Sequence, residues 1–562
     1  YDGFSKRFSV LKIRGFMSSK VAHYLQEHLI GEVMVSADAR RYFATDGSIL
    51  AVVPAVVVYP RGENDVRKVM RFTWQLAERG RVIPVTARGA GTDQGGAALG
   101  NGIILAFPAH MHRILELDEK SGMVVVEPGT NYGKLQQTLH THDRFLPPYP
   151  PGLEYSTIGG AVANNAGGEK SVKYGSTRDY VRSLRVVLAN GEVIETGRLS
   201  KRELNKKLGL ATFEGEIYRA MDALIEENQA LIDKINLNVT KNSAGYFLED
   251  IKRRDGSFDL TPLFVGSQGT LGVITEITLD TEPFNPATTL IMASFDSLDK
   301  LQRAVLELRE LPEMPSAIEM VDGYLLQAVE KINANLLKDA VTKPYPKAIL
   351  FVEFDSQSER LQKKMTKKSR KILEDLARDI QIETDPFQQT RLWKIRQSSS
   401  AYISHNEGSA RALPLIDDGV VPPERLREYI EGLYQLFERN HLQPALWGHA
   451  GDGHLRAQPM LDLGQVGDRQ RAFRLLDEYY NLVLSLGGTI SGGNGDGRLR
   501  APYLQKLYGP EIYALFAKVK QIFDPYGTLN PGVKMNVSLD AIKQQLRPSY
   551  SLSHLYDHMP RS

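Results

Sequence analysis

Apolar positions along this chain recur with two alternating periods, and the alternation divides it into elements. Ala51–Pro60 is an apolar, β-rich run. Over Asp65–Gly80 the positions Val66, Val69, Met70, Trp74 and Leu76 fall at roughly helical spacing. Arg81–Ala87 reads as a strand, a glycine-dense turn follows, and Ile103–Phe107 is again strand-like, which together predict an α+β opening half-domain. Gly122–Pro128 followed by Tyr132–His142 repeats the strand-to-helix move. Arg182–Glu195 reads as a hairpin turning at Asn190-Gly191, a favoured turn dipeptide. Glu216–Ile235 places Ile217, Met221, Leu224, Ile225, Leu231 and Ile232 on one side of an amphipathic helix.

The pattern changes after Thr281-Glu-Pro-Phe-Asn-Pro286, a natural boundary. Strands are predicted over Thr288–Phe295, Ala317–Met320 and Ala348–Phe354, with helices over Asp299–Leu311, Gly323–Asn333 and Ser358–Arg378. This opening order is close to a ferredoxin-like repeat and predicts a second α+β sheet.

Composition bounds these elements. A chain of 562 residues is too long for one ordinary core and predicts two or three domains. Hydrophobic content of 42% with 24% charged residues describes a globular protein. No apolar run approaches the ~18 residues of a membrane span. The net charge of +2 argues against nucleic acid as the main partner, while leaving local basic patches open. The cysteine count is 0, which excludes a disulfide, a cysteine nucleophile and a Cys-ligated iron–sulfur cluster within this sequence. Residues 1–16 form a basic, Phe-containing stretch before Met17 without a signal-peptide apolar core. They are read as an upstream leader or added segment and set aside from fold reasoning.

Chemistry concentrates first in glycine. Arg88-Gly-Ala-Gly-Thr-Asp-Gln-Gly-Gly-Ala-Ala-Leu-Gly-Asn-Gly102 carries so little Cβ bulk that several N–H groups can approach one anion. The chain re-enters a strand after it, so neither a Rossmann fingerprint nor a Walker loop fits. Ser156-Thr-Ile-Gly-Gly-Ala-Val-Ala-Asn-Asn-Ala-Gly-Gly168 and Gly266-Ser-Gln-Gly-Thr-Leu-Gly-Val-Ile-Thr275 are similar runs. Three such segments suit a large, flat cofactor; three independent tight turns are the plainer reading.

With Pro147-Pro-Tyr-Pro-Pro-Gly152, Tyr174-Gly-Ser-Thr-Arg-Asp179 and Asn530-Pro-Gly532, these runs resemble the FAD-linked oxidase family in collinear order from about residue 40 to about residue 535. The closest likeness is to D-lactate, glycolate and D-2-hydroxyglutarate dehydrogenases. The resemblance implies an α+β fold: a two-subdomain FAD-binding domain of the vanillyl-alcohol oxidase type plus a ferredoxin-like α+β substrate cap domain. It implies an FAD-binding domain over 17–284, a cap over 285–500 and a C-terminal segment, 501–562, returning to the first domain. The FAD contacts carried over are Arg88, Gly89, Ala90, Gly91, Thr92, Asp93, Gly95, Pro150, Gly152, Ser156, Thr157, Gly159, Gly160, Ala163, Asn164, Asn165, Gly167, Tyr174, Gly269, Gly272, Val273, Ile274 and Asn530. No histidine stands in the family's covalent-attachment context, so non-covalent FAD is expected.

The second centre is Trp447-Gly-His-Ala-Gly-Asp-Gly-His-Leu-Arg-Ala-Gln458. His449, flanked by glycine and alanine, has little cover from its neighbours and is expected to face a cavity; a histidine merely bonding a loop carbonyl is the alternative. The family motif reads Gly-His-x-Gly-Asp-Gly-Asn-x-His, and its histidines, with a later glutamate, commonly bind a metal. Here Arg456 stands at the second histidine, Gly493 at the glutamate and Asn494 at a following histidine. Arginine has no lone pair to give, so the divalent metal is expected to be absent, with Arg456 replacing it as the anion anchor. His454, Asp452 or Asp496 could rebuild a metal site.

The resemblance implies FAD-dependent oxidation of a D-2-hydroxy acid to the 2-oxo acid. His449 would take the hydroxyl proton, with Arg456, Arg396 or Lys241 on the carboxylate and Asn494 near substrate or flavin. Lys394 is expected to face outward, and Lys241 could equally be a solvated surface lysine. Electrons would pass to a quinone, a cytochrome or an electron-transfer flavoprotein. A separate iron–sulfur subunit and a homodimer are compatible partners, and the expected location is cytoplasmic or peripheral at the inner membrane face. Two alternatives stay open: a catalytically degenerate FAD-binding protein, and a flavin transferase of the alkylglycerone-phosphate synthase type.

Overall fold

A computed structural model describes residues 20–338 and 341–551; the leader 1–16 lies outside the described residues. Val56–Tyr59, Ile103–Ala106 and Val85–Arg88 pair in parallel, and Glu32–Met34 adds antiparallel to the outer side of Val56–Tyr59. Parallel strands need a crossover, which the helix Glu63–Glu78 supplies with Val66, Val69 and Met70 buried against the sheet. The glycine-rich segment is the return connection from Val85–Arg88 to Ile103–Ala106.

A second, antiparallel sheet is ordered Ile114–Asp118, Met123–Val126, Val273–Asp280, Val181–Val187, Val193–Glu195. Val273–Asp280 alternates buried and half-buried residues along its whole length, the mark of a sheet covered on one face. The hairpin between Val181–Val187 and Val193–Glu195 turns where Gly191 adopts φ +85, a conformation glycine takes without Cβ strain. Helices Tyr132–His140 and Phe213–Ile232 pack around this sheet, and Leu135, Leu139, Ile217, Met221 and Ile225 enter one core with Val186 and Ile277.

The second half is a six-stranded antiparallel sheet ordered Asp379–Glu383, Thr289–Phe295, Ala348–Phe354, Ala317–Asp322, Leu446–His449, His454–Ala457. Its first four strands, with helices Leu298–Arg309 and Glu359–Glu374, have the ferredoxin-like order. Both faces are covered, so Thr289–Phe295 and Ala348–Phe354 are buried at every position. Ile291, Ala293, Leu350 and Val352 meet Leu301, Leu308, Met365 and Leu373 on one face. Leu290, Met292, Ile349 and Phe351 meet Leu325, Leu326, Leu392 and Ile395 on the other. The helix expected over Ser358–Arg378 ends at Glu374, because the Arg378 N–H bonds the Ser294 carbonyl and Asp379–Glu383 becomes an edge strand. Helical spacing cannot register that handover, since Arg378–Glu383 is held by a partner strand distant in sequence.

After helix Leu504–Phe523 the chain returns to the first sheet. Leu529 bridges Val85 in parallel, and the Asn530 N–H bonds the Val85 carbonyl at 2.9 Å. No helix among the described residues is long and apolar enough to cross a membrane.

Candidate functional site

The three glycine-rich segments converge, and a chain of side-chain amides joins them. Asn164 Nδ2 donates to Asp93 Oδ1 at 3.0 Å, and Gln268 Nε2 donates to Asn164 Oδ1 at 2.6 Å. Gln268 Oε1 accepts from the Gly497 N–H at 2.8 Å, while Asn530 Nδ2 donates to the Gln268 and Ala97 carbonyls. Main-chain bonds from Gly266 to the Val162 carbonyl and from Gln268 to the Ala163 carbonyl lay the third segment along the second.

Over residues 89–96 of the first loop carbonyls are used and the amides are not, whereas the Ala97 N–H donates to Asp93 Oδ2 at 2.6 Å. Gly91 O accepts from Gly47, and Gly95 O from Arg498 and Leu499. Among the described residues no acceptor is hydrogen-bonded to the N–H groups of residues 89–96, although Gly91, Gly95 and Gly96 are buried. Buried amides without partners are costly, and a pyrophosphate would satisfy them. The surface is also open where a Cβ would stand: at Gly269, φ +70, the nearest atom is Ala87 Cβ at 3.8 Å, and at Gly167 it is Ser171 Cβ at 3.7 Å. These residues fit an extended dinucleotide.

Other glycines are small for packing. A Cβ on Gly89 would meet Thr157 Oγ1 at 2.2 Å, on Gly159 the Pro128 carbonyl at 2.6 Å, and on Gly272 Val186 Cγ1 at 2.5 Å. Arg88 is buried beneath the loop, its guanidinium donating to the Phe43, Thr45 and Ala98 carbonyls. It braces the loop from inside. Thr157 caps Ile158–Asn164, Ser156 Oγ donates to the Gly152 carbonyl, and Asn165 at φ 53 joins Ser243 Oγ to the Arg178 N–H. Ala90, Thr92 and Gly160 lie half-buried in the cradle, Pro150 is half-buried and Gly152 exposed beside it, and Val273 and Ile274 begin a sheet strand. Tyr174 Oη donates to Asp355 of the second half at 3.0 Å.

Against this cradle stands the hairpin Leu446–His449/His454–Ala457. His449 pairs directly with His454, so their side chains share a face, with Arg456 two residues on. The rings are 5.2 Å apart. His449 Nδ1 lies 2.6 Å from Glu319 Oε1, and Glu319 Oε2 accepts from Arg396 Nε at 2.9 Å. All three are buried. Burial pushes the Glu319 carboxyl up, but His449 and Arg396 outweigh it and hold it at about 2. A permanent carboxylate fixes the Nδ1–H tautomer and leaves Nε2, which has no partner among the described residues, as a free lone pair. Desolvation by burial lowers the His449 pKa, Glu319 opposes it, and the nearby charges of Lys241 and Arg456 add to the lowering. The imidazole is therefore neutral at pH 7.

Lys241 is buried, 3.2 Å from Asp452 Oδ2, with Ser171 Oγ accepting from its Nζ at 2.9 Å. That excludes the solvated-lysine reading. Lys394 is exposed. Asp496 is committed to Lys534 at 2.8 Å and to the Gly245 N–H at 2.9 Å.

The loop through Asp417 and Asp418, with Asp418 at φ 62, is pinned by bridges from Ile416 to Ala457 and from Val420 to both His454 and Thr489, and carries two carboxylates into the site. Arg456 Nε lies 2.9 Å from Asp417, Arg500 NH2 3.2 Å from Asp418 Oδ2, and Asn494 Nδ2 donates to both Asp418 oxygens. Burial and Asp417 raise the Asp418 pKa against the two guanidiniums. Desolvation pushes His454 well below the usual histidine range, and neither of its nitrogens is hydrogen-bonded among the described residues.

Ligand atoms of Asp417, Asp418 and His454 lie within 4.8 Å of one another, the arrangement a metal ion asks for. Each carboxylate, however, already faces a fixed guanidinium. A Cβ at Gly493 would sit 3.1 Å from His454 Cε1 and 3.2 Å from Asp418 Oδ1, so a glutamate has no room there unless both give way. Arg456 and Arg500 thus already supply positive charge beside these carboxylates, while both Asp417 oxygens and both His454 nitrogens are buried without a hydrogen-bond partner among the described residues.

Glu319, Asp417, Asp418 and Arg500 did not stand out in the sequence, and Gln268 did so only as part of the third glycine-rich run. Asp417-Asp418 was the one signal available, two adjacent acids in an otherwise apolar stretch.

A glycine cradle that fits an extended dinucleotide beside a separate histidine-bearing sheet has the two-part architecture of an FAD-binding fold. The chain belongs to the FAD-linked oxidase family: residues 54–197 match the FAD binding domain and residues 285–533 the C-terminal domain of FAD linked oxidases. It is 31% identical to D-2-hydroxyglutarate dehydrogenase of Escherichia coli over 90% of this chain and 50% of that protein. It is 28% identical to D-lactate dehydrogenase of Archaeoglobus fulgidus over 90% of this chain and 97% of that one. The chain thus spans about half the length of the D-2-hydroxyglutarate dehydrogenases it matches. Its fold is similar to that of substrate-bound p-cresol methylhydroxylase, with TM-score 0.65 and 16% identity over 90% of this chain and 94% of that one.

Proposed function

We propose that the chain is an FAD-dependent dehydrogenase that oxidises a D-2-hydroxy acid, of the lactate or 2-hydroxyglutarate kind, to the 2-oxo acid. The observation that carries this reading is the neutral, buried His449 with Nε2 free, held by Glu319 and Arg396 beside the glycine cradle. Bound FAD, held non-covalently by the cradle, would supply the two-electron acceptor for the Cα hydride. His449 Nε2 takes the hydroxyl proton as that C–H bond breaks, and the resulting imidazolium is stabilised by Glu319. Arg456 and Lys241 supply positive charge for the substrate carboxylate, Arg456 in place of a metal. Arg396 acts through Glu319 as a positioning residue. Asn494, held on Asp418, limits how far that carboxylate can move toward His454. Electrons leave for an external acceptor such as a quinone, a cytochrome or an electron-transfer flavoprotein, in a cytoplasmic setting.

Anaerobic mixing of the FAD-loaded protein with a panel of D- and L-2-hydroxy acids tests this. Flavin bleaching by D-acids of one side-chain class is expected. A protein that retains FAD yet bleaches with none of them would refute the reading and leave a degenerate flavoprotein.

A further inference from the structure

Charge in this chain is nearly balanced overall, at +2, but it is not evenly spread. Helix Glu359–Glu374 carries seven cationic residues against two glutamates, so the remainder of the chain is net acidic. Its apolar stripe, Met365 and Leu373 with Gln362 and Ser369, is buried on the cap sheet. The opposite side is a row of exposed cations. Lys363 and Arg370 pair with Glu359 and Glu374, while Arg360, Lys364, Lys367, Lys368 and Lys371 have no ion pair among the described residues. The neighbouring helix Leu298–Arg309 does not neutralise them, because Glu307 is held by Arg303 and Asp299 by Arg427.

This row lies on the face of the cap sheet opposite Arg396, Glu319 and His449. Met365 and Leu373 pack with Ile291 and Val352, whereas the helix bearing Arg396 packs through Leu392 and Ile395 on Leu290 and Phe351. Its charge therefore serves something other than the substrate. At 16 residues the helix presents a flat strip about 24 Å long. Unpaired charge on it is mostly lysine, point charges on flexible stems, with no aromatic residue from Glu359 to Arg378 to stack on a base.

We propose that the exposed face of Glu359–Glu374 docks the protein on an anionic lipid surface, with the site turned away from the headgroups. Polybasic strips gain adhesion from each lysine near such a surface and lose it within a Debye length. The inference does not rest on the dehydrogenase reading.

The test is co-sedimentation of the FAD-loaded chain with vesicles of phosphatidylcholine alone or with about 30% phosphatidylglycerol, beside a K364E/K367E/K368E variant. Expected are binding to the anionic vesicles only, release by about 0.5 M salt, and a partition at least about 100-fold weaker in the variant. The variant should retain its FAD and its thermal transition, since all three lysines are exposed. No binding to anionic vesicles at low salt, equal binding to neutral ones, undiminished binding by the variant, or capture of nucleic acid in place of vesicles would each overturn it.

Discussion

Replacing Glu319 with glutamine isolates the charge on the His449 partner while keeping its shape. In the native site His449 starts neutral and ends protonated, so Glu319 contributes mainly once the proton has moved. Charge centres roughly 4 Å apart at an effective dielectric of about 20 attract by about 4 kcal/mol. The glutamine carbonyl still accepts from Nδ1 and recovers about 1 kcal/mol of that. The net loss of about 3 kcal/mol corresponds to a flavin-reduction rate roughly 150-fold lower. A pH signature accompanies it. Because the His449 pKa is lowered below 6.5 in the folded protein, the native rate is full above that value and falls as pH drops through the shifted pKa. Glu319 is the group raising that pKa, so Glu319→Gln should move the acid limb to still lower pH while the plateau falls. Stopped-flow flavin reduction under anaerobic conditions, from pH 4.5 to 8 in steps of about 0.5, measures both, with FAD content as the control for folding. A variant with a native plateau and a native limb would refute the assignment of His449 as base.

Three further outcomes follow from the same contacts. Asn530→Ala removes side-chain bonds to Thr86, Ala97 and Gln268 and should cost about 1–3 kcal/mol, seen as a lower thermal midpoint and faster loss of FAD on dilution. Burial raises Asp322 to about 6, so its contribution to stability is present below the unfolded carboxylate range and lost as pH rises through 6; Asp322→Asn should flatten the midpoint between pH 4 and 7, and an unchanged slope would contradict it. Wild-type protein should contain no stoichiometric zinc or manganese by elemental analysis, whereas Arg456→His, which sets another nitrogen beside Asp417, Asp418 and His454, should acquire a divalent ion.

Much of this protein was decided locally. Helices such as Glu63–Glu78 and Leu298–Arg309 follow from apolar spacing, and Gly91, Gly191 and Gly269 follow from positive φ, because each depends on residues a few positions away. Glycine content likewise marked the three segments that converge, since close backbone approach leaves a trace in composition, and the small neighbours of His449 marked it as a candidate although the fold then buries it. The tertiary structure decided the partners. Glu319 looks like one more strand residue until the sheet sets Ala317–Asp322 against Leu446–His449, and Arg456 looks like a lone cation until the Asp417–Asp418 loop brings two carboxylates to it. A carboxylate's effect on a cation depends on their distance in space, and across a gap of 130 residues, as between His449 and Glu319, periodicity carries no information about that distance.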